Sequence, residues 1–240
     1  MKLIEKISKK NANIYGEAPV TIAFLGDSVT QGCFECYFNE TGVQTVFDTK
    51  SGYAQRVKEM LNFLYPSAQI NLINSGISGD DAANGNERFE RDIAPYHPDL
   101  VVVSFGLNDS TKGVDAVEKY TTALANIFEK TKGIGAECIF LFPNAFNTKT
   151  SAHLKEKREK DLAEYFAEIQ NRGDVGFYRE KALETARACG VEICDLYSVW
   201  ERMEKCGVDT TELLANKYNH PVREMHYYMA MKIVEIILGI

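Results

Sequence analysis

The chain has no long apolar run, few cysteines and fewer basic than acidic residues, and each shortage excludes a class of protein. Its longest apolar runs, such as 139–142, fall far below the ~18 residues that cross a bilayer, so we expect no membrane span. Six cysteines in 240 residues are too few for a disulfide scaffold. Lysine and arginine total 27 against 34 acidic residues, which gives a net charge of -7 and disfavours nucleic acid as a partner.

The composition is otherwise that of an ordinary globular protein, with 45% hydrophobic and 25% charged residues. The first lysines are not followed by the roughly 7–15 apolar residues of a signal peptide, and we therefore expect a cytoplasmic protein. A length of 240 residues suits one domain, 1–240. Residues 1–18 are polar and contain Gly and Pro, so they are expected to form an N-terminal surface arm that could include one helical turn.

Short apolar segments alternate with helical patterns along the chain. Five of them are expected to be strands: 20–25, 70–73, 100–104, 138–142 and 191–194. Apolar residues at helical spacing predict helices within 53–64, with a possible cap at Ser51, and within 114–133, 151–189 (broken near Gly173 and Gly176) and 225–237. Alternation of this kind predicts the α/β class, with a five-stranded parallel sheet covered by helices on both faces.

In open parallel sheets the chemistry lies beyond the carboxyl ends of the strands, so the polar turns there are the candidate sites. Ser28 follows the first strand, where its hydroxyl is expected at an exposed strand end and its N–H at a helix start. Gly79 follows the second strand and Asn108 the third, and His220 precedes the last helix. Taken singly, each has an ordinary structural explanation: a helix cap, a plain turn, a loop-closing amide and a surface histidine.

Taken together, these turns resemble the four sequence blocks of the SGNH, or GDSL-type, hydrolase family. The blocks appear in the family's order, between residue 22 and about 226, as Gly26–Ser28, Gly79, Gly106–Asp109 and His220–Pro221. The resemblance implies a flavodoxin-like, three-layer α/β/α sandwich. It also implies serine ester hydrolysis that needs no metal and no cofactor, with a small-molecule ester as the substrate.

The resemblance also implies roles for the matching residues. Ser28 would be the nucleophile and His220 the general base. The backbone N–H groups of Ser28 and Gly79 and the side-chain amide of Asn108 would form the oxyanion hole. His226 matches a second histidine that is usually a packing position in the family.

One position departs from the family pattern. The family usually has an aspartate three residues before the base, where this chain has Lys217. The imidazole is therefore expected to be oriented by a backbone carbonyl, by Asn216 or by a carboxylate from elsewhere in the chain. The sequence leaves the third member of the triad unassigned.

Cys33 and Cys36 form a Cys-x-x-Cys pair, a motif also found in redox and metal half-sites, but no second pair follows to complete a zinc site. We expect the pair to belong to an active-site loop at 33–50. Its apolar side chains could line an acyl or sugar pocket, or could equally be buried in the core or at a subunit contact: Tyr37, Phe38, Val46 and Phe47.

The leading hypothesis is an esterase that removes a short acyl group, such as acetate from a carbohydrate. A lysophospholipase, thioesterase or acyltransferase of the same family, a non-catalytic ligand-binding relative and a flavin-binding protein are the alternatives. The sequence does not indicate the oligomeric state.

Overall fold

The computed structural model describes residues 1–40 and 42–240, and its central element is a parallel sheet. The strands of the described chain are β1 (Val20–Gly26), β2 (Cys33–Asn39), β3 (Gly42–Phe47), β4 (Ile70–Gly76), β5 (Leu100–Ser104), β6 (Glu137–Phe142) and β7 (Glu192–Asp195). Five of them form the sheet in the order β4-β1-β5-β6-β7, and every pair is parallel. Counted along the chain this order is 2-1-3-4-5, which is the flavodoxin order.

Helices cover both faces of the sheet. Those of the described chain are α1 (Lys2–Ala12), α2 (Ser28–Gln31), α3 (Tyr53–Leu64), α4 (Ala82–Asp92), α5 (Leu107–Ser110), α6 (Val117–Gly133), α7 (Lys157–Arg172), α8 (Asp174–Ala188), α9 (Tyr197–Lys205) and α10 (Arg223–Leu238). Helices α1 and α3 pack against α10 in one layer, and α4 and α8 pack against α6 in the other. The predicted α/β/α sandwich with a five-stranded parallel sheet is therefore confirmed.

The three inner strands of the sheet, β1, β5 and β6, are buried because they are mostly apolar on both faces, whereas the edge strands β4 and β7 are partly exposed. All five residues of β5 are buried between the two helix layers, as expected for a strand inside a parallel sheet. On α10, the side chains of Met225, Met229, Ile233 and Ile237 recur every four residues and are buried against the sheet side of the helix. This packing fixes the start of α10, and with it the preceding loop, beside the strand ends.

The expectation of a surface arm at 1–18 is wrong for most of that segment, because Lys2–Ala12 is a helix. Leu3 and Ile7 lie one turn apart and are buried in the core, while the lysines around them face outward for the most part. The backbone N–H groups of Lys2 and Leu3 donate to the carboxylate of Glu137, which caps the helix from another element. A distant cap of this kind leaves no local sequence signal.

The expected loop at 33–50 is instead mostly a hairpin of two antiparallel strands, β2 and β3. Its register shifts between Cys33 and Cys36, which is a β-bulge. Thr41 at its tip lies outside the described residues.

Three details of the helix predictions also differ. Helix α3 begins after Gly52 with no side-chain cap, so Ser51 is not its cap. The helical region at 151–189 breaks at Gly173, whereas Gly176 lies inside α8. Helix α9 was not predicted. Across residues 1–40 and 42–240, no helix has both the length and the apolar character needed to cross a membrane. That residues 1–240 form one domain stays a prediction.

Candidate active site

Ser28 is the first residue of α2 and follows directly on β1. The turn is tight: a Cβ on Gly26 would lie 2.7 Å from the carbonyl oxygen of Ser104 on the neighbouring strand, so only glycine fits there. The carboxylate of Asp27 accepts a hydrogen bond from the N–H of Val29 at 2.9 Å and caps α2. As the first helical residue, Ser28 has no acceptor for its own N–H inside the helix.

Ser28 is less exposed than the sequence suggests, with 5% of its surface accessible. Helix α2 packs closely on β4, where a Cβ on Gly76 would lie 2.2 Å from the backbone nitrogen of Gln31. This close approach buries the turn that carries the serine. Ser28 is therefore almost fully buried at the strand ends and does not lie on an open surface.

Gly79 lies in the turn after β4, and Asn108 lies in α5, the short helix after β5; β4 and β5 are the two neighbours of β1 in the sheet. Gly79 has a φ of +80°, a left-handed conformation that favours glycine. No hydrogen bond from its N–H is found within the part of the chain that the structure describes. The amide nitrogen of Asn108 donates one hydrogen to the carbonyl oxygen of Asp80 at 2.8 Å. Its second hydrogen remains available to a ligand.

The buried side chain of Arg88 contacts the ends of both β1 and β4. The guanidinium of Arg88 donates to the carboxylate of Asp80 at 2.7 Å, to the carbonyl oxygen of Ser75 at 2.7 Å and to that of Gly26 at 3.0 Å. Both members of the Arg88–Asp80 pair are buried. Arg88 also pairs with Asp92 at 3.1 Å, so it is removal of Arg88 that would leave the buried Asp80 carboxylate without its cation. The bonds of Arg88 to Asp80, Ser75 and Gly26 hold the turn after β4 against the end of β1.

His220 reaches Ser28 from the loop before α10. Its Nε2 lies 2.9 Å from the Ser28 hydroxyl oxygen, and the histidine is 5% exposed. The side-chain oxygen of Asn216 accepts hydrogen bonds from the N–H groups of Tyr218, Asn219 and His220 at 2.9–3.2 Å. Asn216 therefore holds the backbone that carries the imidazole and does not orient the ring directly.

The other ring nitrogen of His220, Nδ1, lies 3.0 Å from the carbonyl oxygen of Phe34 in β2. Since a carbonyl only accepts hydrogen bonds, Nδ1 carries the proton and Nε2 is free to accept the hydroxyl proton of Ser28. The Cys36 sulfur is a more distant neighbour of Nδ1, at 3.9 Å. Lys217, which occupies the family's aspartate position, instead pairs with Glu212 at 2.8 Å.

Burial and nearby groups set the protonation of this site. Burial lowers the pKa of His220, while the Phe34 carbonyl and the charge of Asp27 oppose that shift. Burial raises the pKa of Asp27 to about 6, against the hydrogen bond from Val29 and the charge interaction with His220. At neutral pH, His220 is therefore a neutral base beside a mostly ionised carboxylate. A serine hydroxyl hydrogen-bonded to a neutral imidazole can lose its proton as it attacks an electrophile.

His226 lies away from the serine and packs in the core. Its Nδ1 accepts the N–H of Tyr53 at 3.1 Å, and its ring lies 4.7 Å from the ring of Phe34. Burial raises the pKa of the Cys33 thiol to about 12. Among residues 1–40 and 42–240, no group of three or more His, Cys, Asp or Glu side chains could hold a metal ion. The prediction that the chain needs no metal or cofactor stays a prediction.

Comparison with known proteins identifies the family to which this chain belongs. The model of the GDSL-like lipase/acylhydrolase family matches residues 24–227, which includes all the turns described above. The chain belongs to this family.

Two curated proteins are similar to this member of the GDSL-like family. One is an acetylxylan esterase of Geobacillus stearothermophilus, 28% identical over 131 residues, which are 51% of this chain and 58% of that protein. The other is an arylesterase of Vibrio mimicus, 28% identical over 97 residues, which are 38% and 48% of the two chains. The matches thus span about half the length of these relatives.

Solved structures of similar fold include a two-domain esterase active on acetylated mannans. It has a TM-score of 0.69 and 19% identity, and the match covers 99% of this chain and 52% of that one. At this identity the likeness shows the fold only.

Sequence reasoning missed two contributors to the site. The acceptor at Nδ1 is a main-chain carbonyl, and every residue has one, so Phe34 gives no sequence signal. The Arg88–Asp80 pair spans eight residues across a helix start, and nothing in the sequence distinguishes it from surface charges. Ser28, Gly79, Asn108 and His220 were candidates from their places at the ends of predicted elements and from the family motifs, and their catalytic roles stay predictions.

Proposed function

We propose that this chain is a serine esterase that hydrolyses a short-chain acyl ester through an acyl-serine intermediate. The observation that carries the proposal is the 2.9 Å contact between the Ser28 hydroxyl oxygen and His220 Nε2. Family membership supports the reaction class, because the family is one of lipases and acylhydrolases.

In the proposed first half-reaction, the hydroxyl oxygen of Ser28 attacks the ester carbonyl while His220 Nε2 takes the hydroxyl proton. The carbonyl oxygen becomes an anion. The N–H groups of Ser28 and Gly79 and the free amide hydrogen of Asn108 donate to it, and each fixed donor is worth about 3–4 kcal/mol in the transition state. The C–O bond to the leaving alcohol then breaks, and the alcohol takes the proton from Nε2.

In the second half-reaction, water replaces the alcohol. His220 takes a proton from the water as its oxygen attacks the acyl carbonyl, and the same donors stabilise the second oxyanion. The bond to Ser28 then breaks, the serine oxygen recovers its proton from Nε2, and the carboxylic acid leaves.

The base works in this scheme without a carboxylate on Nδ1. The Phe34 carbonyl keeps the proton on Nδ1, so the imidazole presents the correct tautomer to Ser28. A neutral acceptor stabilises the imidazolium less than a carboxylate does. The charge of Asp27, which favours protonated His220, supplies part of the difference.

An acetyl group on a carbohydrate is the substrate that we infer. Ser28 and His220 are each only 5% exposed, which favours a small acyl group over a long chain at the serine. The adjacent hairpin presents the exposed side chains of Tyr37 and Phe47, and aromatic faces of this kind suit sugar rings. The acetylxylan esterase relative supports the same substrate class.

A panel of p-nitrophenyl esters from acetate to octanoate, assayed beside acetylated xylo- and manno-oligosaccharides, tests the proposal. We expect the highest kcat/KM on acetate and release of acetate from at least one sugar, with Ser28→Ala as the inactive control. A preference for octanoate would contradict the short-acyl proposal and favour a lysophospholipase or thioesterase. No hydrolysis of any ester would favour a non-catalytic binding role.

A further inference from the structure

The backbone at Phe34 is not held by ordinary strand pairing. Phe34 and Glu35 lie in the bulge of the hairpin, where the register shifts between Cys33 and Cys36. A bulge redirects backbone groups away from the ladder, and here it leaves the Phe34 carbonyl free to accept from His220 Nδ1. Another contact must therefore fix this carbonyl relative to the base.

Arg223 makes such a contact. It is the first residue of α10, three positions after His220. Its Nη1 donates to the Glu35 carboxylate at 2.6 Å, its Nη2 to the same carboxylate at 3.2 Å, and its Nε to Asp48 at 3.0 Å. Two-pronged pairing of a guanidinium with a carboxylate fixes orientation as well as distance.

The side chain of Phe34 is enclosed as well. The guanidinium carbon of Arg223 lies 4.2 Å from the centre of the Phe34 ring, a cation–π contact, and the His226 ring lies 4.7 Å from it. Phe34 itself has no accessible surface. Both the ring of Phe34 and the neighbouring carboxylate of Glu35 are thus bound by the start of α10.

We propose that Arg223 is a positioning residue that holds the Phe34 carbonyl against Nδ1 of His220. That carbonyl accepts the hydrogen bond that an aspartate usually accepts in the family. The inference rests on the esterase function proposed above. One short segment, His220–Arg223, then carries both the base and the group that fixes its hydrogen-bond acceptor.

The charges of this arrangement are compatible with the reaction. Arg223 is paired with the carboxylates of Glu35 and Asp48. The shift in the pKa of His220 comes from burial, the Phe34 carbonyl and Asp27, not from Arg223. Arg223 in turn lowers the pKa of Glu35, so that carboxylate stays ionised and the pairing persists at mildly acidic pH.

The test compares Arg223→Met with Arg179→Met. Arg179 is a matched control because its Nε and Nη2 also pair with a carboxylate, that of Asp195, and it lies 5.9 Å from the Tyr197 ring, but at β7, three strands from β1. We expect Arg223→Met to lower kcat roughly 10–100-fold with KM within about threefold, as for a misplaced catalytic group. Arg179→Met should keep the wild-type kcat. Arg223→Lys should recover part of the loss.

The second readout needs no substrate. In the wild-type protein the Nδ1–H proton of His220 should give a downfield NMR signal, assigned by its absence in His220→Ala. We expect Arg223→Met to broaden or remove this signal and Arg179→Met to leave it unchanged. Should Arg223→Met fold poorly, Glu35→Gln provides the same comparison with a smaller disturbance.

An unchanged Nδ1–H signal with an unchanged kcat in Arg223→Met would overturn the inference, as would a change in KM alone. Failure of the esterase proposal looks different: the wild-type protein would then hydrolyse no ester, while the NMR comparison would still report whether Arg223 holds the carbonyl.

Discussion

His226 gives a stability prediction whose size follows from its burial. The side chain is fully buried, and its Nδ1 accepts the N–H of Tyr53, so the ring is neutral with its proton on Nε2. Burial is the main reason that its pKa falls from 6.5 to about 3, helped by the charges of His220 and Arg223. In the unfolded chain the same histidine titrates near its ordinary value.

The sign of the effect follows from proton binding. Between pH 6.5 and 3 the unfolded chain binds a proton at residue 226 that the folded chain does not, so acidification favours unfolding. The loss amounts to about 1.4 kcal/mol per pH unit in this window, or roughly 5 kcal/mol if the whole window is crossed. Burial raises the pKa of Asp27 to about 6 and that of Asp109 to about 7. These two carboxyls therefore increase the free energy of unfolding as the pH falls, opposite to the effect of His226.

Comparing the wild-type protein with His226→Asn isolates the contribution of His226 to the pH dependence of stability. The asparagine oxygen can still accept the Tyr53 N–H, and the contributions of Asp27 and Asp109 cancel in the difference. Urea unfolding at intervals from pH 7 to pH 4 should show the wild-type protein losing stability relative to the variant, by about 1.4 kcal/mol per pH unit below pH 6. Parallel pH curves for the two proteins would refute the reasoning.

Three further variants, two single and one double, test the site. Asn108→Ala should lower kcat by roughly 10²–10³ with little change in KM, because its free amide hydrogen acts on the oxyanion, and a change in KM alone would assign it to substrate binding. Asp27→Asn removes a charge that raises the pKa of His220, so the acidic limb of kcat/KM should move to lower pH, and a move to higher pH would contradict this. Replacing Cys33 and Cys36 with serine should leave kcat within a few-fold, with no stoichiometric zinc by elemental analysis. A large loss of kcat would show that the Cys36 sulfur, 3.9 Å from Nδ1, assists His220.

Elements with a strong local pattern could be predicted from the sequence. The strand at Leu100–Ser104 was predicted with its observed bounds, because an all-apolar run between polar turns fits a buried parallel strand. The helix at Tyr53–Leu64 was predicted from the helical spacing of its apolar residues.

Elements that are stabilised by residues distant in the chain could not be predicted from the sequence. Helix α1 depends on burial of Leu3 and Ile7 and on a cap from Glu137, more than a hundred residues away. The β2–β3 hairpin pairs half-exposed strands whose pattern is interrupted by a bulge.

The site shows the same division. Four functional candidates lie in short motifs, so the sequence indicated them, whereas the acceptor at Nδ1 depends on tertiary contact between β2 and the His220 loop. The sequence left three candidates for the group that orients His220: a backbone carbonyl, Asn216 and a carboxylate. In the structure the group next to Nδ1 is the Phe34 carbonyl.

Covalent labelling tests the central proposal most directly. A fluorophosphonate probe requires a serine activated by a base, so mass spectrometry of the labelled protein should find one adduct, on Ser28. Ser28→Ala should take up no probe, His220→Ala should react far more slowly, and the double variant should lose little more ester hydrolysis than either single variant, because the two residues act as a unit. An adduct on another residue with Ser28 unmodified, or His220→Ala labelled at the wild-type rate, would contradict the account.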